Sequence, residues 1–130
     1  MIRCTIVALG FVVLWSAASV AAALDIATFR AHPPETGTVI LIGYVVDIYA
    51  CPPCPTGAQC KPCQGDQVTI ADVPGADDRQ GLVILMPAAA LTQFPIGQRY
   101  RIEAELRAVR GTAPFVGELH LRAAQPEAAQ

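Results

Sequence analysis

The sequence predicts a mainly β domain in which five strands close into a small barrel that carries one short helix. Five segments of the 130-residue chain show the alternating or continuously apolar patterns of strands. Turns that contain proline and glycine separate several of these segments. One stretch of good helix formers lies between the third and fourth strand segments. Together these observations predict a five-stranded barrel with its helix between strands 3 and 4.

The first predicted strand, residues 38–50, is dominated by β-branched and aromatic residues on both alternating faces. Such a pattern indicates a strand that is buried on two sides. Gly43 lies in the middle of this strand and marks a position for a bulge or a sharp bend. The glycine would therefore allow one long strand to curve around the barrel.

The other elements follow in chain order. They are strands at 67–73 and 82–86, a helix of about two turns at 88–94, and strands at 99–108 and 118–123. In the last two strands charged residues alternate with apolar ones, which predicts one wet face, one core face and an antiparallel hairpin with cross-strand ion pairs. Asp25 is placed to cap a short helix that ends before His32.

The domain organisation follows from these elements. We expect a signal peptide at 1–23, a short helix and linker at 24–36, and a barrel at 37–124. The barrel contains a cysteine-rich hairpin insertion at 51–66, and residues 125–130 form a disordered tail.

This order of elements, with a glycine inside a long first strand, resembles the oligonucleotide/oligosaccharide-binding (OB) fold, a five-stranded Greek-key barrel. It is also similar to small secreted bacterial proteins of that fold. The resemblance covers about 37–123 and implies that the cysteine segment and the connection at 109–117 flank a ligand face. That face would come from 67–73 and 82–86, which contain no aromatic residue, Arg or Lys. The composition argues against stacking of single-stranded nucleic acid there.

The amino-terminal segment has the pattern of a secretory signal peptide. Arg3 precedes an apolar stretch, and small residues lead to a cleavage site after Ala23, with Ala21 and Ala22 as alternative sites. The other interpretation is an uncleaved membrane anchor, because the apolar segment is just long enough to span a bilayer. Cleavage would remove Cys4 and deliver a mature chain of 107 residues to the periplasm or the outside, with no membrane attachment. Its formal charge of −3 also argues against nucleic acid.

Four cysteines, Cys51, Cys54, Cys60 and Cys63, lie within thirteen residues and carry the sharpest functional signal. Four cysteines allow three disulfide pairings. The nested pairing of Cys51 with Cys63 and of Cys54 with Cys60 suits a protruding hairpin whose tip is 55–59. An oxidising compartment favours this disulfide-stapled loop.

Two other chemistries use the same four sulfurs. The spacing C-x2-C followed by C-x2-C matches a zinc site or a copper(I) site, although the five intervening residues are few and the prolines remove backbone N–H donors. Each pair also has proline before its second cysteine, as in the thioredoxin-like C-G-P-C motif of thiol-disulfide redox proteins. Turn formers follow each pair here, where that family has a helix.

The remaining polar residues give weaker signals. A cluster of Asp72, Asp77 and Asp78 fits no EF-hand loop and is expected to be a solvated turn. His32 and His120 lack a recognisable catalytic partner, and no catalytic constellation or cofactor motif is present. The sequence therefore predicts a non-enzymatic binding or accessory module with an unknown protein or small-molecule partner. The alternative is a metal-binding (zinc or copper) or thiol-redox protein.

Overall fold

The computed structural model describes residues 21–34, 37–87, 90–108 and 117–128. Its elements are β1 (Ala23–Leu24), α1 (Ile26–Ala31), β2 (Gly37–Tyr49), β3 (Asp66–Ala71), β4 (Leu82–Met86), β5 (Arg99–Ala108) and β6 (Gly117–Pro126). Two 3-10 helices, Asp78–Gln80 and Leu91–Gln93, precede β4 and β5. The first twenty residues of the predicted signal peptide and the connection at 109–116 lie outside the described residues.

Five of the strands close into a barrel, as the sequence predicts. β2 pairs antiparallel with β3 on one side and with β5 on the other, and β3 pairs antiparallel with β4. β6 pairs antiparallel with β5 and, over a short parallel stretch, with β4. The ring therefore runs β2–β3–β4–β6–β5 and returns to β2, which is an OB-like arrangement.

β2 serves both halves of the barrel. Its first part, up to Tyr44, pairs with β5, and its second part, from Tyr44 onward, pairs with β3. The register shift lies between Val45 and Asp47, beyond the glycine where a bulge was expected. Gly43 has a different role: a Cβ there would lie 3.1 Å from the carbonyl oxygen of Ala71. The missing side chain thus permits β3 to approach β2 closely.

Apolar side chains from every barrel strand fill the interior. Among the described residues, the apolar residues with no exposed surface are Leu41, Val45, Val68, Ile70, Ile84, Ile102 and Ala104, and β6 contributes the buried Leu119. Phe29 of α1 lies beside Leu82 and Leu106, where β4 begins and β5 ends. At the start of β5, Phe94 packs against Tyr100 with ring centroids 4.9 Å apart. Helix α1 and the segment before β5 therefore cover opposite ends of the barrel.

The connection between the third and fourth barrel strands is shorter in its helical part than expected. It contains the single 3-10 turn Leu91–Gln93 where about two turns were predicted, and residues 88 and 89 lie outside the described residues. Phe94 leaves the helix and is buried, and the Tyr100 hydroxyl donates to the carbonyl of Gln93 at 2.5 Å. Phe94 precedes Pro95, which disfavours helical backbone at Phe94, and the Phe94 side chain is buried in the core.

Among the described residues, the α-helix is α1, which precedes the barrel. Asp25 caps it as predicted, because its carboxylate accepts from the Thr28 N–H at 2.6 Å. The carboxylate of Asp72 accepts from the N–H groups of Ile26 at 2.8 Å and Ala27 at 3.0 Å. Asp72 therefore ties the end of β3 to the start of α1.

At the other end of the chain, β6 continues to Pro126, beyond the barrel boundary expected at 124. The Glu127 N–H donates to the carbonyl of Arg99 at 2.9 Å, and the Arg99 side chain lies 3.8 Å from the Glu127 carboxylate. These contacts extend the β5–β6 pairing into the segment that was expected to be a tail.

Candidate functional site

The connection between β2 and β3, residues 50–65, forms a hairpin closed by two disulfides, and we call it the Cys-Pro hairpin. Cys51 is bonded to Cys63, and Cys54 is bonded to Cys60. The two Cα atoms of each bridge are 5.9 Å apart. The structure thus has the nested pairing that the sequence predicts.

The tip of the hairpin is a tight turn. The Ala58 N–H donates to the carbonyl of Pro55 at 3.1 Å, and Gly57 has a φ of +85°. A positive φ at the third position of a β-turn is the requirement of a type II turn, which glycine meets without steric cost. The sequence Pro55-Thr-Gly-Ala58 therefore fixes where the chain reverses.

The base of the hairpin is anchored by a side chain that sequence reasoning missed. Asp66, the first residue of β3, accepts from the Cys51 N–H at 2.9 Å. Below this bond, Tyr49 of β2 pairs with Gln67 of β3. The signal in the sequence was a carboxylate directly after Gly65, the last residue of the Cys-Pro hairpin. Asp66 joins the outer disulfide to the barrel.

The hairpin projects from the barrel and has little charge. All of its residues are exposed apart from the half-buried Cys51 and Gly65. None of its side chains belongs to the described core cluster, and Lys61 is its single charged residue. The barrel therefore does not use the hairpin as packing material.

The barrel surface next to the hairpin carries the aromatic side chain of Tyr49, which the sequence analysis did not include in the expected ligand face. Tyr49 pairs with Gln67, which pairs with Leu85, so the three side chains lie in one row on one face of the sheet. Tyr49 is 48% exposed. The expected ligand face was limited to β3 and β4, and the end of β2 adds this tyrosine to it.

A groove of about 300 Å³ lies between the hairpin base and the seam of β4 and β6. Gln64, Met86, His120 and Arg122 contribute to its walls. The Glu105 carboxylate on the same surface contacts the guanidinium groups of Arg107, at 2.9 Å, and Arg122. The Arg122–Glu105 pair joins β6 to β5 and is a cross-strand ion pair of the kind that the sequence predicts, whereas Arg107 and Glu105 lie two residues apart on β5. Both arginines that line the groove, Arg107 and Arg122, are therefore paired with the Glu105 carboxylate.

The histidines and the acidic cluster form no joint site. The His120 ring lies 3.2 Å from the carboxylate of Glu118, two residues away on β6, and the backbone N–H of His32 donates to the carbonyl of Thr28 in α1. The Asp72 carboxylate accepts hydrogen bonds from two backbone N–H groups at the start of α1. At Asp77 the pKa is lowered by hydrogen bonds, first from the Arg79 N–H and then from the Asp78 side chain. Among the described residues, no group of three or more His, Cys, Asp or Glu side chains is arranged to hold a metal ion.

The two disulfides determine the chemistry that is open to the four sulfurs in the oxidised protein. Each sulfur is bonded to another sulfur, so none is a thiolate ready to bind zinc or copper. Both bridges join one C-x2-C pair to the other, whereas a thioredoxin-like motif works within one pair. The fully described segment 50–65 also contains no helix whose positive end would lower a thiol pKa.

Comparisons of the chain with protein-family models, with curated proteins and with solved structures found no match. In the part of the chain that the structure describes, no helix has both the length and the apolar composition to cross a membrane. The two disulfides fit a compartment outside the reducing cytosol.

Proposed function

We propose that this protein is an exported, non-enzymatic binding or accessory module that uses the Cys-Pro hairpin as a rigid recognition loop for a protein or small-molecule partner. One observation carries the proposal. The Cys-Pro hairpin is constrained by two disulfides and four prolines, yet it contributes no side chain to the described core.

Constraint in an exposed loop favours binding more than folding. A loop that is ordered before binding loses less conformational entropy when a partner immobilises it, so more of the contact energy appears as affinity. The barrel supplies the fixed base through Asp66 and the β2–β3 pairing. Loops held by a rigid scaffold are a common location for binding residues.

The predicted signal peptide and the disulfides support export to the periplasm or the outside of the cell. Disulfides persist in those compartments, whereas the cytosol keeps thiols reduced. On this proposal the four cysteines act as structural cross-links of the mature protein.

The exposure of Cys54, Cys60 and Cys63 supports a second candidate, in which the hairpin exchanges disulfides or, once reduced, binds zinc or copper(I) with its four thiols. Equilibration with glutathione buffers separates the two functions. A structural hairpin stays oxidised across the range of the periplasm and the secretory pathway, whereas an exchanging hairpin forms mixed disulfides and free thiols.

The experiment that tests the binding module is photo-crosslinking in the cells that produce the protein. The photoreactive amino acid p-benzoylphenylalanine replaces Thr56 at the hairpin tip and, as a matched control, Thr38 near the start of β2. Both threonines are exposed. We expect a discrete covalent adduct from position 56 and none from position 38. The absence of a specific adduct from position 56 would overturn the proposal.

A further inference from the structure

We infer that residues 51–55, the first limb of the Cys-Pro hairpin, form a preformed polyproline II ligand for an aromatic-lined groove on a partner protein. This inference rests on the proposed function and names the chemistry of the partner for the same site.

The conformation of the first limb follows from its prolines. The rings of Pro52, Pro53 and Pro55 fix their own φ near −65°. A following proline also restricts Cys51 and Cys54 to extended or polyproline II backbone. The limb belongs to no helix or strand in the structure, and all of it beyond Cys51 is exposed. Three of the five residues therefore have a φ fixed near the polyproline II value, and the two cysteines are restricted to the extended region that includes it.

The cysteine spacing matches this geometry. Polyproline II has about three residues per turn and rises about 3.1 Å per residue. Cys51 and Cys54, three positions apart, therefore lie on the same edge of the limb. Both bond to the opposite limb with equal Cα separations of 5.9 Å, like two rungs of a ladder. The C-x2-C spacing that resembles a metal or redox motif is thus also the spacing that staples a polyproline II strand along one edge.

The same periodicity places the prolines. Pro52 and Pro55 are also three positions apart and share a second edge, and Pro53 lies on the third. The disulfides occupy the first edge, so these two proline edges face away from the second limb. All three prolines are exposed. The limb therefore presents a P-x-x-P ridge to solvent. The opposite side of the limb is cross-linked to the second limb by the two disulfides.

The chemistry of this ridge selects a class of partner. Pro52, Pro53 and Pro55 have no N–H, so the limb cannot join a sheet as an added strand. Proline-rich polyproline II segments instead dock into grooves lined by aromatic side chains, with little loss of entropy because the helix is preformed. Lys61 is the single charge of the hairpin, which fits an acidic group beside that groove.

The test uses the photoreactive residue at position 56 in three backgrounds: the otherwise wild-type chain, Pro52→Ala/Pro55→Ala, and the control Pro62→Ala/Pro74→Ala. The control also removes two exposed prolines, one from the second limb and one from the β3–β4 turn. Intact mass confirms two disulfides in each protein, and a urea titration confirms that each barrel is folded. Tandem mass spectrometry maps the crosslinked segment of the partner.

We expect the adduct yield to fall about tenfold or more in Pro52→Ala/Pro55→Ala and to stay at the wild-type level in the control, because buried anchor residues carry most of an interface's affinity. We also expect the mapped segment to contain aromatic residues. An undiminished adduct in Pro52→Ala/Pro55→Ala, or a mapped segment without aromatic residues, would overturn the inference while the proposed function stands. No adduct in any background would overturn both.

Discussion

At the scale of single residues, Gly81 shows how a missing side chain sets the packing at the start of β4. A Cβ at this position would lie 2.2 Å from Thr69 Cγ2 and 3.1 Å from the carbonyl oxygens of Ile70 and Asp78. Thr69 is buried, so its methyl group cannot turn into solvent to make room. The Arg30 side chain also donates to the Gly81 carbonyl and holds the backbone there.

We therefore predict that Gly81→Ala lowers the free energy of unfolding by about 1–3 kcal/mol, as overpacking does in other cores. The measurement is urea denaturation followed by circular dichroism. Combining it with Thr69→Ser, which removes the closest methyl group, should recover part of the loss. A Gly81→Ala protein as stable as the wild type would contradict this account of the contact.

Asp25 provides a prediction on pH. Hydrogen bonds from Thr28, first from its side chain and then from its N–H, lower the pKa of the Asp25 carboxyl. Because the pKa is lowered in the folded state, the ionised Asp25 cap stabilises α1 at pH values above the unfolded-state pKa of about 3.9. This contribution is lost as the pH falls through the lower pKa of the folded state.

The check is an NMR titration of the Thr28 amide shift. The midpoint should lie below the ordinary Asp value, and the transition should disappear in Asp25→Asn. A midpoint at or above the ordinary value would show that the cap does not favour the ionised carboxylate.

At the scale of elements, the two disulfides should differ in their effect on stability. The outer bridge, Cys51–Cys63, closes the longer loop, and the inner bridge, Cys54–Cys60, closes the shorter one. Chain-entropy arguments give about 3 kcal/mol for the outer bridge and about 2 kcal/mol for the inner one. Replacing the outer pair with serines should therefore lower the urea midpoint more than replacing the inner pair. The reverse order would contradict the nested geometry.

The strand patterns predicted the barrel because burial imposes strict periodicity on long strands. The alternation of 99–108 appears as β5, and the glycine-containing first strand appears as β2. Short elements escape such reasoning: β1 has two residues, and its pairing with Ile40 and Leu41 depends on the closed barrel. The sequence predicts a longer helix than the 3-10 turn at Leu91–Gln93, because helix propensity does not include the burial of Phe94 in the core.

The candidate site was predicted in part. Local spacing was enough to suggest the nested disulfides, because the four cysteines share one short segment. The anchor Asp66 and the exposed Tyr49 were missed because both depend on the β2–β3 register. A register is a tertiary property, and one residue of slip moves a side chain to the opposite face.

At the scale of the whole molecule, the barrel is the scaffold and the Cys-Pro hairpin is the candidate site. The core is built from barrel strands, α1 and the segment before β5, and its described members include no residue of the hairpin. A function grafted on such a scaffold can be removed without removing the fold.

This division predicts opposite results for two variants. Replacing residues 51–65 with Asn-Gly, a two-residue hairpin turn in the register that pairs Tyr49 with Gln67, should leave a folded barrel with the circular dichroism of a β protein. Phe29→Ala, which leaves the hairpin intact, should cost about 3–5 kcal/mol because Phe29 is a buried core residue where α1 covers the barrel end. The variant without the hairpin should fold at the same protein concentration as the wild type. If it does not fold, the hairpin is part of the folding unit.

The most direct test of the central claim is the disulfide connectivity of the protein, purified without reductant from the cells that produce it. Partial reduction at acidic pH, followed by thiol labelling and mass spectrometry, identifies which cysteines are released together. The stapled hairpin predicts an intact mass four hydrogens below that of the reduced chain, and release of Cys54 with Cys60 and of Cys51 with Cys63. Release of Cys51 with Cys54, or four free thiols with a bound metal ion, would contradict the stapled recognition loop and favour a redox or metal-binding protein.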